Sequence, residues 1–380
     1  MRLVIEQPRL LKSLQTVERA VNDRSALPIL ANILIETTER ELVLTATDLD
    51  VGVQYRLPMT GQPEQGAVTL PARRLATIIR ELPEEPVTME AKKNYSATVS
   101  CGASHFRLQG LPPEDFPVFP VAEQTHTTTI PQSILKQLIT HTAFAMSLEE
   151  TRFVLNGTLL QIANGTVTLA AADGRRLAVA SAPVPGTPAP EATRVVVPAK
   201  AIRELGRLLD DAGEDPVTIA PLKDNQVVFR FGEVTIISRL IDGQFPQYES
   251  AIPEPSRITV TCDRGQLANA IRRASLMTTA TSQAVVFDLA KDRVIVSKES
   301  PEVGSAQEEL PASYTGEPMT IGFNPAYWLD VLKVLDAAEV TIEFAAPPRT
   351  AGSPAEGPPY DRAAIRLPQL LYLVMAMKLS

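Results

Sequence analysis

The sequence predicts an α+β chain made of three copies of one unit of about 125 residues, each running strand, helix, several strands, helix, several strands. Three markers recur in the same order. The first is a proline that opens an amphipathic helix: Leu70-Pro71-Ala72-Arg73-Arg74-Leu75, Val197-Pro198-Ala199-Lys200-Ala201-Ile202 and Asn324-Pro325-Ala326-Tyr327-Trp328-Leu329. These prolines stand 127 residues apart, twice over. Proline suits the first turn of a helix, where its missing N–H has no partner to lose. The second marker is an acidic residue between two apolar strands, at Asp48, Asp173 and Glu299. The third is an earlier helix with its apolar side chains on one stripe.

In the first copy Met1–Glu6 reads as a strand rather than a leader. Leu10, Leu11, Leu14, Val17 and Val21 follow at helical spacing. Strands run from Val43 to Val53 around Asp48, and after the helix at Pro71 an acidic turn leads into the strand Pro86-Val87-Thr88-Met89. The stiff segment Phe116-Pro117-Val118-Phe119-Pro120 closes this copy. The second copy repeats the order: Ile134, Leu135, Leu138 and Ile139 on a helix, strands from Val167 to Val179 around Asp173, the helix at Pro198, then Pro216-Val217-Thr218-Ile219. It ends at Phe245-Pro246-Gln247-Tyr248 and Ile252-Pro253-Glu254-Pro255. The third has Leu267, Ile271 and Ala274 on its first helix, strands from Val294 to Val303 around Glu299, the helix at Pro325, and Val340-Thr341-Ile342-Glu343. The domains are placed at 1–122, 128–253 and 256–380. Pro183–Ala192 and Ala345–Asp361 are proline-rich loops inside the second and third, the latter read as the most mobile segment.

Composition narrows the function. With 380 residues, 44% of them apolar, there is material for several packed cores and none of the signature of disorder. No apolar run approaches the roughly 18 residues of a membrane span. Cys101 and Cys262 are too few for a disulfide scaffold and lack metal-ligand spacing, which places the chain in the cytoplasm. A net charge of −8 excludes a generally basic nucleic-acid binder but not a local basic surface. Six amphipathic stretches (8–21, 71–81, 131–145, 198–211, 263–275 and 325–337) together carry +6, so the remainder carries −14. Lys200, Arg203 and Arg207 share one helix face, as do Arg73 and Arg80. Taken singly, such charges are ordinary solvated helix surface. Repeated in three copies, they can line one common surface that attracts a phosphate backbone.

Catalytic chemistry is missing. No G-x-x-x-x-G-K-[ST] and no G-x-G-x-x-G occurs. His105, His126 and His141 stand in no metal or triad pattern, and Asp173-Gly174-Arg175-Arg176 sits where the repeat puts a strand-end turn. The expectation is a binding protein, not an enzyme, with no catalytic residue, metal or cofactor.

Several stretches resemble the bacterial sliding clamp family, the beta subunit of DNA polymerase III. They are Arg24-Ser25-Ala26-Leu27-Pro28-Ile29-Leu30-Ala31-Asn32 with Leu44-Thr45-Ala46-Thr47-Asp48-Leu49, and Leu155-Asn156-Gly157 with Asp173-Gly174-Arg175-Arg176-Leu177-Ala178. Gly243-Gln244-Phe245-Pro246-Gln247-Tyr248 and the tail Tyr372-Leu373-Val374-Met375-Ala376-Met377-Lys378-Leu379 complete the set. The likeness covers essentially the whole chain.

The resemblance implies three DNA-clamp domains, each with two inner helices and outer antiparallel sheets, and two chains closing head to tail into a six-domain ring around duplex DNA. It implies that Arg24, Arg73, Arg80, Lys200, Arg203 and Arg207 face the DNA. Phe106 and Leu108, exposed on one chain, would meet Leu276 and Met277 of a second copy. A groove for linear motifs of the DNA polymerase III alpha subunit, the clamp loader, other polymerases and repair proteins would be formed by Leu155, Ala172, Gly174, Arg175, Arg176, Leu177, Pro246, Asn324, Tyr327, Val374, Met375, Met377, Lys378 and Leu379. Arg176 would cap a peptide carbonyl or acid.

The chain departs from the family pattern at Ala172 (usually Thr), Arg175 (often His), Ala376 (usually Pro) and Ser380, one residue beyond the usual end. Ala376 removes the φ restraint of proline, so a looser groove wall is expected. Two other readings accommodate the same residues: a specialised duplicate clamp with altered partner or inhibitor binding, and a peptide-gathering ring that binds no DNA.

Overall fold

A computed structural model describes residues 1–59, 63–119, 127–184, 193–213, 215–222, 224–345 and 360–379. Pro120, His126, Ser380 and most of the two proline-rich loops lie outside these residues.

The elements repeat three times. The first series is β1 (Arg2–Glu6), α1 (Gln7–Val17), β2 (Asn32–Thr37), β3 (Glu41–Thr47), β4 (Val51–Pro58), β5 (Gly66–Pro71), α2 (Ala72–Glu81), β6 (Pro86–Ala91), β7 (Ser96–Cys101) and β8 (Ser104–Gln109). The second is β9 (Thr128–Pro131), α3 (Gln132–Thr142), β10 (Gly157–Ala163), β11 (Thr166–Ala172), β12 (Arg176–Pro183), β13 (Thr193–Pro198), α4 (Ala199–Leu208), β14 (Pro216–Leu222), β15 (Gln226–Phe231) and β16 (Val234–Arg239). The third is β17 (Thr259–Asp263), α5 (Arg264–Ala274), β18 (Val285–Ala290), β19 (Arg293–Ser300), β20 (Gly304–Tyr314), β21 (Met319–Phe323), α6 (Pro325–Val334), β22 (Glu339–Ala345), β23 (Arg362–Leu367) and β24 (Leu370–Met375). Pro71 and Pro198 end the strand just before α2 and α4, while Pro325 is the first residue of α6, whose Asn324 caps the Ala326 N–H.

Two compact units emerge, 1–136 with 203–240 and 137–202 with 241–380, so the middle repeat is divided between them. In the first unit the strands form a four-stranded sheet, β1-β6-β7-β8, and an eight-stranded one, β5-β2-β3-β4-β16-β15-β14-β9. β4 pairs antiparallel with β16, Val51 opposite Ser238 and Tyr55 opposite Val234. In the second unit β12 pairs antiparallel with β24, Arg176 opposite Val374 and Ala180 opposite Leu370. The two junctions join strands at equivalent places in successive repeats.

Helix periodicity explains the cores. Leu10, Leu14 and Val17 of α1 and Leu75 and Ile79 of α2 are buried, and these two helices pack on each other. Each such side chain contributes ~1.5–3 kcal/mol of burial. In the other unit Trp328 of α6 packs edge-on to Phe323 and close to Phe287 and Tyr372. The Asp48 and Asp173 turns match: Asp48 accepts from the N–H groups of Asp50 and Val51, and Asp173 from those of Arg175 and Arg176. Leu49 and Gly174, at the same place in each turn, both have left-handed φ (81° and 87°). The third acid departs from this pattern. Glu299 lies within β19, opposite Ser305, because that hairpin runs longer before it turns.

Candidate functional site

The second unit holds a cavity of about 610 Å³, lined by Arg152, Gly174, Arg175, the loop residues Ala280, Thr281 and Gln283, Asn324 and Tyr327 at the start of α6, and Met375, Ala376 and Met377. Beside it lies an apolar trough. Ala172, Val179, Tyr248 and Ile252 are half-buried over Leu177, Ala364 and Leu373, and Leu155 packs on the adjoining cluster around Phe245. The tail wall is held by three successive amides: Met375 donates to the Arg175 carbonyl (2.9 Å), Ala376 to that of Asp361 (2.7 Å) and Met377 to that of Gly322 (2.8 Å). Leu379 packs against Gly322, where a Cβ would come within 2.5 Å of it. The expected looser wall at Ala376 is therefore replaced by one pinned through an N–H that proline lacks. A side chain at Gly174 would displace the Arg152 guanidinium as well as sit at a left-handed φ of 87°.

Arg176 stands beneath this cavity with its side chain only 9% exposed. Nε donates to Asp173 Oδ2 (3.0 Å), Nη1 to Asp330 Oδ2 (2.6 Å) and Nη2 to the Phe144 carbonyl (2.6 Å). Its guanidinium carbon lies 4.5 Å from the Tyr327 ring centre. Burial works against its charge, yet the bond to Asp330 and the neighbouring Asp173 leave its pKa above the ordinary arginine value. Each of its three nitrogens makes one of these bonds, so three of its five N–H donors tie Arg176 into the groove's own frame. Leu177 is buried in the floor of the trough and Val374 is buried on β24 outside both linings, whereas Met375, Lys378, Leu379 and Pro246 are exposed.

The first unit carries most of the basic helix faces. Arg73 pairs with Asp23 (2.5 Å) and Arg80 with Glu18 (3.9 Å), around a cavity of about 520 Å³ that Arg19 and Glu204 also line. Exposed pairs of this kind contribute ~0–1 kcal/mol, so their arginines exchange readily onto a phosphate. Arg24 and Arg203 are exposed, and Lys200, which falls in the second unit, is half-buried on the first turn of α4. Arg207 differs. It is bound to Glu204 (2.8 Å) and donates to the carbonyls of Gln15 and Thr16 at the end of α1. Its fork serves as a cap on α1 as well as standing on the basic face of α4.

The sheet edges of the described residues include those of β1, β5, β9, β13 and β21, but two others belong to strands whose counterparts pair between the other repeats. β8 pairs only with β7. β20 pairs with β19 along Gly304–Pro311 but with β17 only at Ala312–Tyr314, which leaves its first eight residues with one bare edge. Near β20, Arg273 pairs with Glu308 (2.5 Å), and this hydrogen bond holds the Glu308 carboxyl below its ordinary pKa. Leu276 beside it is 70% exposed. On β8 Phe106 is exposed, but Leu108 is only 6% exposed and already belongs to its own sheet's core. The expectation of an exposed Phe106–Leu108 pair is corrected accordingly: strand alternation puts the two on one face, but the interior of this chain claims Leu108.

Models of the DNA polymerase III beta subunit match the chain in three consecutive pieces: its N-terminal domain at 1–120, central domain at 129–247 and C-terminal domain at 249–352. The chain belongs to the beta sliding clamp family. It is 35% identical to the beta sliding clamp of Pseudomonas putida over 90% of its own length and 92% of that protein. It is 33% identical to that of Bacillus subtilis, over 90% and 93%. A crystal structure of the Pseudomonas aeruginosa beta subunit superposes with a TM-score of 0.90 at 33% identity, covering all of both chains, and one of the clamp from that organism bound to griselimycin does equally well. Its function is that of a DNA sliding clamp.

Within this sliding clamp the groove residues Gly174, Arg175, Asn324, Tyr327, Met375 and Met377 come together around one cavity, and Leu155, Ala172 and Leu177 around the adjoining trough. Sequence reasoning missed Arg152 and the loop at Ala280–Gln283, which lie in irregular segments without periodicity, and Asp330, whose partner is far along the chain. Arg19 was within reach, as a cation at the end of the first basic helical stretch. Cys262 is no hidden nucleophile, since burial pushes its thiol up to about 12. Among the described residues no helix is long and apolar enough to cross a membrane.

Proposed function

We propose that two copies of this chain close head to tail into a ring of six clamp domains around duplex DNA, as a processivity factor and not an enzyme. The domains are taken at 1–122, 128–253 and 256–380. The observation that carries this reading is the unfinished series of strand junctions. β4 of the first repeat pairs with β16 of the second, and β12 of the second with β24 of the third. By the same rule β20 of the third seeks β8 of a first repeat, and each of these strands has a bare edge. A second copy supplies both partners at once, which removes the edges and leaves two identical contacts. Leu276 and Met277 on one side and Phe106 on the other lie next to the new strand pair.

The basic faces then line the hole. Arg24, Arg73, Arg80, Lys200 and Arg203 attract phosphates without reading bases, which is what sliding requires. The groove docks short apolar and aromatic motifs of the replicative polymerase, the clamp loader, other polymerases and repair proteins. Its methionines adapt to different side chains, and its polar rim fixes the peptide backbone. Such a clamp works at the nucleoid, in the cytoplasm.

The test is topological. The protein is loaded on a nicked circular DNA, which is then cut once. Retention on the circle and loss from the linear form is the expected result. Equal retention on both would overturn the ring.

A further inference from the structure

The reading of the cavity as a peptide dock leaves open what fixes its shape. We propose that Asp330, through Arg176, is a positioning residue that sets the spacing of the groove's walls. One wall is the turn Asp173-Gly174-Arg175 and the other is the start of α6, with Asn324 and Tyr327. Arg176 joins them. Its Nε holds Asp173, the residue whose carboxylate also shapes the turn through two backbone N–H groups. Its Nη1 holds Asp330, one helical turn after Tyr327 and so on the same side of α6. Its guanidinium carbon lies over the Tyr327 ring. Tyr327 is held a second time, because its carbonyl accepts the buried Tyr372 hydroxyl (2.8 Å). Because the third wall hangs from the Arg175 carbonyl through the Met375 N–H, a shift of the turn moves that wall as well.

Asp330 itself does not line the cavity, and its side chain is 44% exposed. Its removal therefore leaves the core intact. It frees one arm of a buried guanidinium and unties α6 from the turn. A groove that must reorder on binding has a lower affinity even though every lining side chain is still present.

The test uses the full chain and a labelled ten-residue peptide carrying one leucine and one phenylalanine, titrated by fluorescence anisotropy. Asp330→Ala should bind about tenfold more weakly with an unchanged melting profile. Asp330→Asn keeps an acceptor at the same place and should recover affinity to within about threefold. Asp330→Ser answers the same question if the alanine variant does not fold. Unchanged affinity in the alanine or serine variant, or asparagine as weak as alanine, overturns the proposal. Met375→Ala, which removes a lining side chain, is run alongside. If it too leaves affinity unchanged, the dock reading has failed, and not merely the role of Asp330.

Discussion

Ala376 donates its backbone N–H to the carbonyl of Asp361 at 2.7 Å, which fastens the tail of the chain to the residue just before β23. The bond depends on the residue's not being proline.

Ala376→Pro therefore removes one buried-edge hydrogen bond, with a net cost of about 1 kcal/mol. Hydrogen exchange at Met375 and Met377 should quicken, and the denaturation midpoint should fall slightly. Unchanged exchange would mean the neighbouring two bonds suffice to hold the wall.

Leu276→Lys should give soluble monomers. The side chain is solvated in the single chain but would be buried against a second copy, where an unpaired charge costs on the order of 3–5 kcal/mol. Native mass measurement at micromolar concentration reads the outcome, and a dimer that persists would put the interface elsewhere.

Neutralising Arg24, Arg73 and Arg203 together should weaken DNA association equally for all sequences. The dependence of log affinity on log salt should flatten by roughly 0.9 for each phosphate that is no longer neutralised. Arg207→Gln is the contrasting case. It should lower stability by ~1 kcal/mol through the missing cap on α1 and change the salt slope less than any of the other three.

His141 gives a pH signature. Burial lowers its pKa below the ordinary 6.5, with Asp336 and the Val334 carbonyl opposing. Below about 6.5 the unfolded chain takes up a proton that the folded chain refuses, so stability is full above that value and falls as pH drops toward the lowered one. Denaturant midpoints between pH 7.5 and 5 should show this fall, and His141→Gln should flatten it. Equal slopes in both proteins would assign the effect to other groups.

The repeat was legible because it is written in local terms. Pro71, Pro198 and Pro325 mark helix starts, and Asp48 and Asp173 close the same turn, each requirement met within a few residues of chain. Glu299 misled because an acid between apolar strands looks the same whether it ends a strand or lies within one; hairpin length decides, and that depends on pairing. The charged residues were harder still. Spacing shows that Arg203 and Arg207 share a helix face, but not that Arg207 finds the carbonyls of Gln15 and Thr16, nearly two hundred residues away in sequence. The bond between Arg176 and Asp330 was hidden for the same reason, since the two are 154 residues apart. Alternation could place Leu108 on a face but could not say whether its own chain or another would cover it.

The junction of β4 with β16 carries a consequence beyond cohesion. Each repeat offers one edge forward and one backward, so a chain of any number of repeats ends with one of each. Such a chain has no finite assembly without loose ends except a closed one, and closure depends on how far each junction turns. A substitution that altered that turn slightly, for instance at Gly52 or Ile237 where β4 and β16 face each other, would leave the edges just as adhesive as before. Its product would be a helical filament, visible by electron microscopy, in place of a ring or a monomer.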